Sequence, residues 1–122
     1  MSAENQIDYI EIPVTDLHRA REFFSAMFGW EFQEWGDDYM SFADGRLHGG
    51  LRRATEPAPA TGVLLVFYTE NLERDVARVQ ELGATISQEA FAFPGGRRFH
   101  FIDPVGTEYA MWSAKTENNN GA

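Results

Sequence analysis

Phe101-Ile102-Asp103-Pro104-Val105-Gly106, followed directly by Thr107-Glu108-Tyr109-Ala110-Met111-Trp112, is the stretch that decides how this chain folds. A short apolar run stops at an Asp-Pro-x-Gly turn, where proline presets φ and glycine accepts the left-handed corner, and a second strand leaves at once. This is a hairpin signal. About sixty residues earlier Ser41-Phe42-Ala43-Asp44-Gly45 runs into Arg46-Leu47-His48-Gly49-Gly50-Leu51 in the same manner. A turn that returns with the same neighbours points to an internal repeat.

Working outward from the two turns, each is preceded by the same succession of patterns. Ile7 to Val14 alternates, with Ile10, Ile12 and Val14 on one face and Tyr9 and Glu11 on the other, which is the period of a strand. Asp16 supplies a helix cap, Leu17, Ala20, Phe24, Met27 and Phe28 recur at helical spacing, and Gly29 ends the run. Strands are then expected over 30–35, 39–43 and 47–53. The second half repeats the order: a strand over 63–69, a cap at Asn71, a stripe of Leu72, Val76, Val79 and Leu82 ending at Gly83, then strands over 84–90, 97–102 and 107–113. The division expected is a polar N-terminal tail over 1–6, a first βαβββ module over 7–53, a Pro-rich linker over 54–61, a second module over 62–113 and a loose tail over 114–122.

The chain has 122 residues, enough for one compact domain or two halves sharing a core. A formal net charge of −9, from 19 acidic and 10 basic side chains, argues against nucleic acid or an anionic membrane as partner, because both demand a basic footprint. No apolar run approaches the roughly 20 residues of a membrane span, and the first six residues are too polar for a signal peptide. The absence of cysteine removes disulfides, thiolate metal sites and cysteine nucleophiles, and agrees with a cytoplasmic location.

Two tandem βαβββ modules of this size, with Ile12-Pro13-Val14-Thr15-Asp16-Leu17, Phe23-Phe24-Ser25-Ala26-Met27-Phe28-Gly29-Trp30 and the Asp103-Pro104-Val105-Gly106 turn, resemble the vicinal oxygen chelate superfamily of glyoxalases, bleomycin-resistance proteins and extradiol dioxygenases. The resemblance implies an α+β fold in which a curved mixed sheet surrounds a cleft, helices lie outside, and two chains often pair as a homodimer. It leaves the chemistry open, since one scaffold hosts lyases, dioxygenases, transferases and binders.

Metal-dependent members of that superfamily place His, Glu or Gln on the first and last strand of each module. By the register the resemblance implies, the first-strand positions fall seven residues before each cap, at Tyr9 and Leu64, and the last-strand positions four residues after each turn glycine, at Gly49 and Ala110. None is a good donor for a divalent ion, so no metal and no cofactor is expected. His48 adjoins Gly49, but a one-residue shift reverses the face of a strand. His18 lies early in a helix among charged residues. His100 alternates with Arg98 and Ile102 and is a candidate for contact with a ligand.

The residues expected to line the cleft are Tyr9, Glu11, Gly49, Leu64, Tyr68, His100, Ala110 and Trp112. Val66 and Glu108 stand on the same faces, and Phe91 and Phe93 form an edge over the opening or a plug in it. This is an apolar, aromatic inventory with few polar anchors, suited to a small hydrophobic or planar ligand. The function expected is metal-free binding or sequestration of such a molecule. Two alternatives stay open: a glyoxalase-like lyase or isomerase, with an unusual metal site or with Glu11 or His100 as acid or base, and a module whose cleft has closed. No glycine-rich phosphate loop or complete catalytic set is recognised.

Overall fold

A computed structural model describes residues 4, 7–57, 59 and 62–116. The tails expected over 1–6 and 114–122 therefore lie largely outside the described residues. The chain divides into two compact units, 1–58 and 59–122, a boundary that falls within the Pro-rich stretch.

The first unit contains β1 (Tyr9–Val14), α1 (Leu17–Phe28), β2 (Glu31–Glu34), β3 (Tyr39–Ala43) and β4 (His48–Arg53). Its sheet has the order β1-β4-β3-β2, with β1 parallel to β4 and the other pairs antiparallel. The helix starts where Asp16, in extended conformation, accepts the N–H of Arg19 at 3.1 Å, which satisfies one of the orphan donors of the first turn. It ends where Gly29 adopts φ 71° and returns its N–H to Ser25, a left-handed corner that glycine takes without steric cost. Leu17, Ala20, Phe23 and Phe24 are the buried stripe. Phe24, Trp30 and Phe42 form a stacked column, with centroids 4.6 and 4.2 Å apart, that joins helix to sheet.

The second unit repeats the plan with β5 (Val66–Tyr68), α2 (Leu72–Glu81), β6 (Thr85–Phe93), β7 (Gly96–Ile102) and β8 (Glu108–Ser113), in the order β5-β8-β7-β6. Asn71 caps α2 by accepting the N–H of Arg74 at 3.0 Å. Leu72 and Val79 of the helix are fully buried, as are Phe99, Phe101, Tyr109 and Met111 of the sheet. Arg97 on this side ion-pairs with Glu73, and both side chains are largely buried. Two helices and two four-stranded mixed sheets thus bear out the tandem α+β reading, with each helix against one face of its sheet. No helix among the described residues is long and apolar enough to cross a membrane.

Three strands differ from expectation by two residues or more. The fifth strand is only three residues long, because pairing with β8 begins at Val66 opposite Ala110. Leu64 precedes it, and the backbone contact before it is the N–H of Ala110 on the carbonyl of Leu65 at 3.1 Å. The sixth strand runs on to Phe93 instead of stopping at Ala90, so Phe91 and Phe93 are paired with Arg98 and Gly96 and belong to the sheet. It accommodates the extra length with register shifts between Ile86 and Gln88 and between Gln88 and Phe91, as bulged outer strands do. The first strand begins at Tyr9, two residues later than the alternation indicates.

The two hairpin turns that frame the repeat are not equal in length. In the first, Asp44 N–H bonds to the carbonyl of Leu47, and in the second Asp103 N–H bonds to the carbonyl of Thr107. Each Asp also folds its side chain over its own turn, Asp44 Oδ1 accepting from Arg46 and Leu47 and Asp103 Oδ1 from Val105 and Thr107. The second turn holds one residue more, so the residue matching Ala110 in the first module is Gly50 rather than Gly49.

Candidate ligand-binding faces of the two sheets

Each sheet has a face turned away from its helix. In the first module that face carries Tyr9 and Glu11 from β1, Tyr39 and Ser41 from β3, and His48, Gly50 and Arg52 from β4, as the cross-strand register requires. Tyr9 and Tyr39 join hydroxyl to hydroxyl at 2.6 Å. Glu11 takes a charge-assisted bond from Arg52 Nε at 3.2 Å, in a pair about half exposed. Trp35 Nε1 donates to Ser41 Oγ at 2.9 Å. Burial, then hydrogen bonding to Tyr9 and Glu11, pushes the Tyr39 hydroxyl well above the usual phenol range. Tyr39 therefore keeps its proton at neutral pH.

Gly49 requires correction. It pairs with Phe42 and Ile10, on the helix side of β4, and a Cβ there would lie 2.4 Å from the Phe42 ring and 2.2 Å from the Ile10 carbonyl oxygen. Its smallness admits the aromatic column, and it does not share a face with Tyr9. Gly50 does: a Cβ on Gly50 would lie 1.8 Å from the Tyr39 hydroxyl and 2.7 Å from that of Tyr9. The space above Gly50 is already filled by the two phenols. The expectation went wrong by counting from the turn glycine, when the two turns differ by one residue.

In the second module the corresponding face carries Val66 and Tyr68 from β5, Glu108, Ala110 and Trp112 from β8, and Arg98 and His100 from β7. Tyr68 and Phe93 meet Trp112 edge-on, with centroids 5.0 and 6.2 Å away. Hydrogen bonding to Glu70 raises the Tyr68 hydroxyl above its ordinary value. Ala110 is wholly buried beside its cross-strand partner His100. Leu64, ahead of β5, is half-buried and outside the paired strand.

His100 is 8% exposed and sits in a polar chain. Arg98 Nε and Nη2 approach its Nε2 at 3.3 and 3.1 Å, and Glu108 Oε2 lies 3.3 Å from its Nδ1. A guanidinium has only donors, so Nε2 accepts and the ring proton rests on Nδ1, facing Glu108. That last contact is close but too bent for a hydrogen bond, since Nδ1 has no hydrogen-bond partner. Ser87 Oγ donates to the same Glu108 oxygen at 3.0 Å. Phe91 stacks over the imidazole, centroid to centroid 6.1 Å, and the Arg98 guanidinium lies 6.0 Å from the Phe91 ring centre.

Residues 6–110 match the family model of the Glyoxalase/Bleomycin resistance protein/Dioxygenase superfamily. The chain belongs to that superfamily. A glyoxylase-like domain-containing protein of Didymella fabae is 54% identical over 114 residues, which cover 87% of this chain and 80% of that protein. The anthracycline biosynthesis protein DauV of Streptomyces sp. strain C5 is 24% identical over 110 residues, 86% of this chain, which spans 40% of DauV. Among solved structures, a variant of FosX, the fosfomycin resistance protein of Listeria monocytogenes, in complex with Mn(II) superposes with a TM-score of 0.78 at 19% identity, covering 93% of both chains.

The superfamily's metal positions do not fit a divalent ion in this chain. By the register that the resemblance implies, corrected for the shorter first turn, they fall at Tyr9 and Gly50 on the first module and at Leu64 and Ala110 on the second, which together offer one phenol already bonded to Tyr39. His48 stands on Tyr9's face, yet among the described residues no three His, Asp or Glu side chains gather closely enough to hold an ion. Divalent ions of this kind take several nitrogen or oxygen donors.

Sequence reasoning passed over two of the residues that shape these faces. Tyr39 was detectable, since Tyr39 and Ser41 alternate with buried Met40 and Phe42. Arg98 was seen to share a face with His100, but only the β7–β8 register, which sets Ile102 against Glu108, shows the acid arriving on the imidazole's other side.

Proposed function

We propose that this superfamily member binds or sequesters a small apolar or aromatic molecule without a metal ion, and that it does so as a homodimer. The observation that carries the reading is the donor set: Tyr9, Gly50, Leu64 and Ala110 stand where relatives with metal chemistry require His, Glu or Gln. Aromatic side chains on the second module's face, Tyr68, Phe91, Phe93 and Trp112, provide flat apolar surface of the kind that stacks on planar ligands. A relative named for anthracycline biosynthesis is consistent with a small-molecule ligand.

Binding is favoured over turnover because both acid–base candidates are engaged. Glu11 is paired with Arg52, and the lone pair of His100 Nε2 is taken by Arg98. The dimer covers sheet edges that would otherwise offer unpaired backbone groups, and light scattering reads it directly. For the binding mode, protein purified without chelators is assayed for metal and then screened by thermal shift against planar aromatic compounds with and without EDTA. Substoichiometric metal and ligand stabilisation indifferent to EDTA are expected. One equivalent of nickel, zinc, iron or manganese, or stabilisation abolished by EDTA, overturns the reading.

A further inference from the structure

We propose that the ligand is a planar aromatic carboxylate, and that Arg98 is the residue that anchors its carboxylate on the helix-free face of the second module. This rests on the small-molecule reading above and adds a charge and an anchor to it.

Arg98 differs from the exposed Arg19, Arg46 and Arg78 in being half-buried, and from the remaining cations in its contacts. Arg21, Arg52, Arg53, Arg74, Arg97 and Lys115 each contact a carboxylate. Arg98, half-buried in a protein with 19 acidic residues, has no acid within ion-pair distance among the described residues, and its contacts are an imidazole and a phenyl ring. A partly desolvated guanidinium held by a neutral acceptor lacks its natural counterion.

The way it is held leaves part of the guanidinium uncommitted. The Nε and inner Nη2 hydrogens point at His100 Nε2. Of the five guanidinium donors, three remain, along the edge formed by Nη1 and the outer hydrogen of Nη2, and that edge is a fork that matches a carboxylate. Trp112 is the cross-strand partner of Arg98 and Phe91 is its partner on the other side. A carboxylate gripped by the fork therefore carries its ring system onto aromatic surface. Ser87, Glu108 and His100 act behind it: Ser87 donates to Glu108, the acid stands 3.3 Å from Nδ1, and Nε2 accepts from the guanidinium. His100 is on this account a positioning residue.

The test uses the whole chain and a matched pair of probes, 1-naphthoate and its neutral isostere 1-naphthamide, titrated calorimetrically. The wild type is expected to prefer naphthoate by roughly tenfold or more, the size of a charge-assisted bidentate contact. Arg98→Gln abolishes the preference while naphthamide affinity and the melting temperature hold. Arg98→Lys keeps the charge, loses the fork and retains only part of the preference. His100→Asn weakens naphthoate several-fold and leaves naphthamide unchanged, a selectivity that a general loss of packing does not produce. Equal affinity of the wild type for both probes, or a naphthoate preference that survives Arg98→Gln, overturns the anchor but leaves small-molecule binding standing. Failure of both probes to bind overturns the two together.

Discussion

In the first module Phe42 swings against Trp30 and lies over Gly49, whereas in the second the matching Phe101 lies 5.8 Å from the ring of Tyr109, which occupies the matching place on β8. The same backbone position thus carries no side chain in one half and a buried tyrosine in the other. The reason is where each module finds its aromatic filling. The first draws Trp30 from the end of its helix into the core, so the last strand must be bare; the second has no tryptophan there, and its last strand supplies the ring. The faces away from the helices differ in the same way. The first is closed over by a pair of phenols above Gly50, and the second presents a cation among aromatic rings. A repeat conserves the path of the chain more strictly than the side chains that fill it.

The sharpest way to break the comparison is Gly49→Ala. The new methyl meets a carbonyl oxygen at 2.2 Å, and backbone cannot step aside as a side-chain end can. A loss of about 3 kcal/mol is expected from overpacking of this kind, read from urea midpoints. A loss under about 1 kcal/mol would show that Phe42 has another place to go.

The second prediction concerns the turns. Asp103 is 3% exposed, and burial outweighs the backbone N–H groups of Thr107, Val105 and Gly106 to push its carboxyl up to about 6. A carboxyl raised in the folded state favours folding fully below its unfolded value, near pH 4, and that contribution disappears as pH rises to about 6. Asp103→Asn escapes the penalty. The variant should match the wild type near pH 4 and exceed it by about 3 kcal/mol at pH 7, an order-of-magnitude figure from the size of the shift. Parallel stability curves across that range would contradict it.

The smallest effect is expected for Gly50→Ala. The methyl there collides with the Tyr39 hydroxyl, the movable end of a side chain, so the cost in stability is about 1 kcal/mol. The change appears in ultraviolet titration instead. With the phenol pair broken and Tyr39 turned outward, its ionisation falls back toward the ordinary tyrosine value of about 10. An unchanged titration would mean that the pair survives.

The fold was legible because its signals are local. Asp16 and Asn71 cap helices whose apolar stripes repeat within a few residues, and no distant partner is needed to read them. The faces of the strands were legible only where side chains alternate. Gly49-Gly50 carries no mark of which residue faces the helix, and the count from Gly45 and Gly106 failed because Pro104-Val105-Gly106 is one residue longer than Gly45-Arg46. Leu64 was placed in a strand on hydrophobicity, but pairing with β8, which begins at Val66, sets the true boundary. The contacts of His100 were illegible because they depend on register across three strands, with Glu108 arriving diagonally and Phe91 through a bulged edge.

The two hydroxyls resting on Gly50 also set what this surface gives up in order to acquire chelation. A glutamate introduced at position 50 finds its first carbon against the Tyr39 hydroxyl, the movable end of a side chain, so the carboxylate enters as that ring turns outward and leaves Tyr9 without its bonding partner. Coordination and the phenol bridge are rival tenants of one volume, and gaining one forfeits the other.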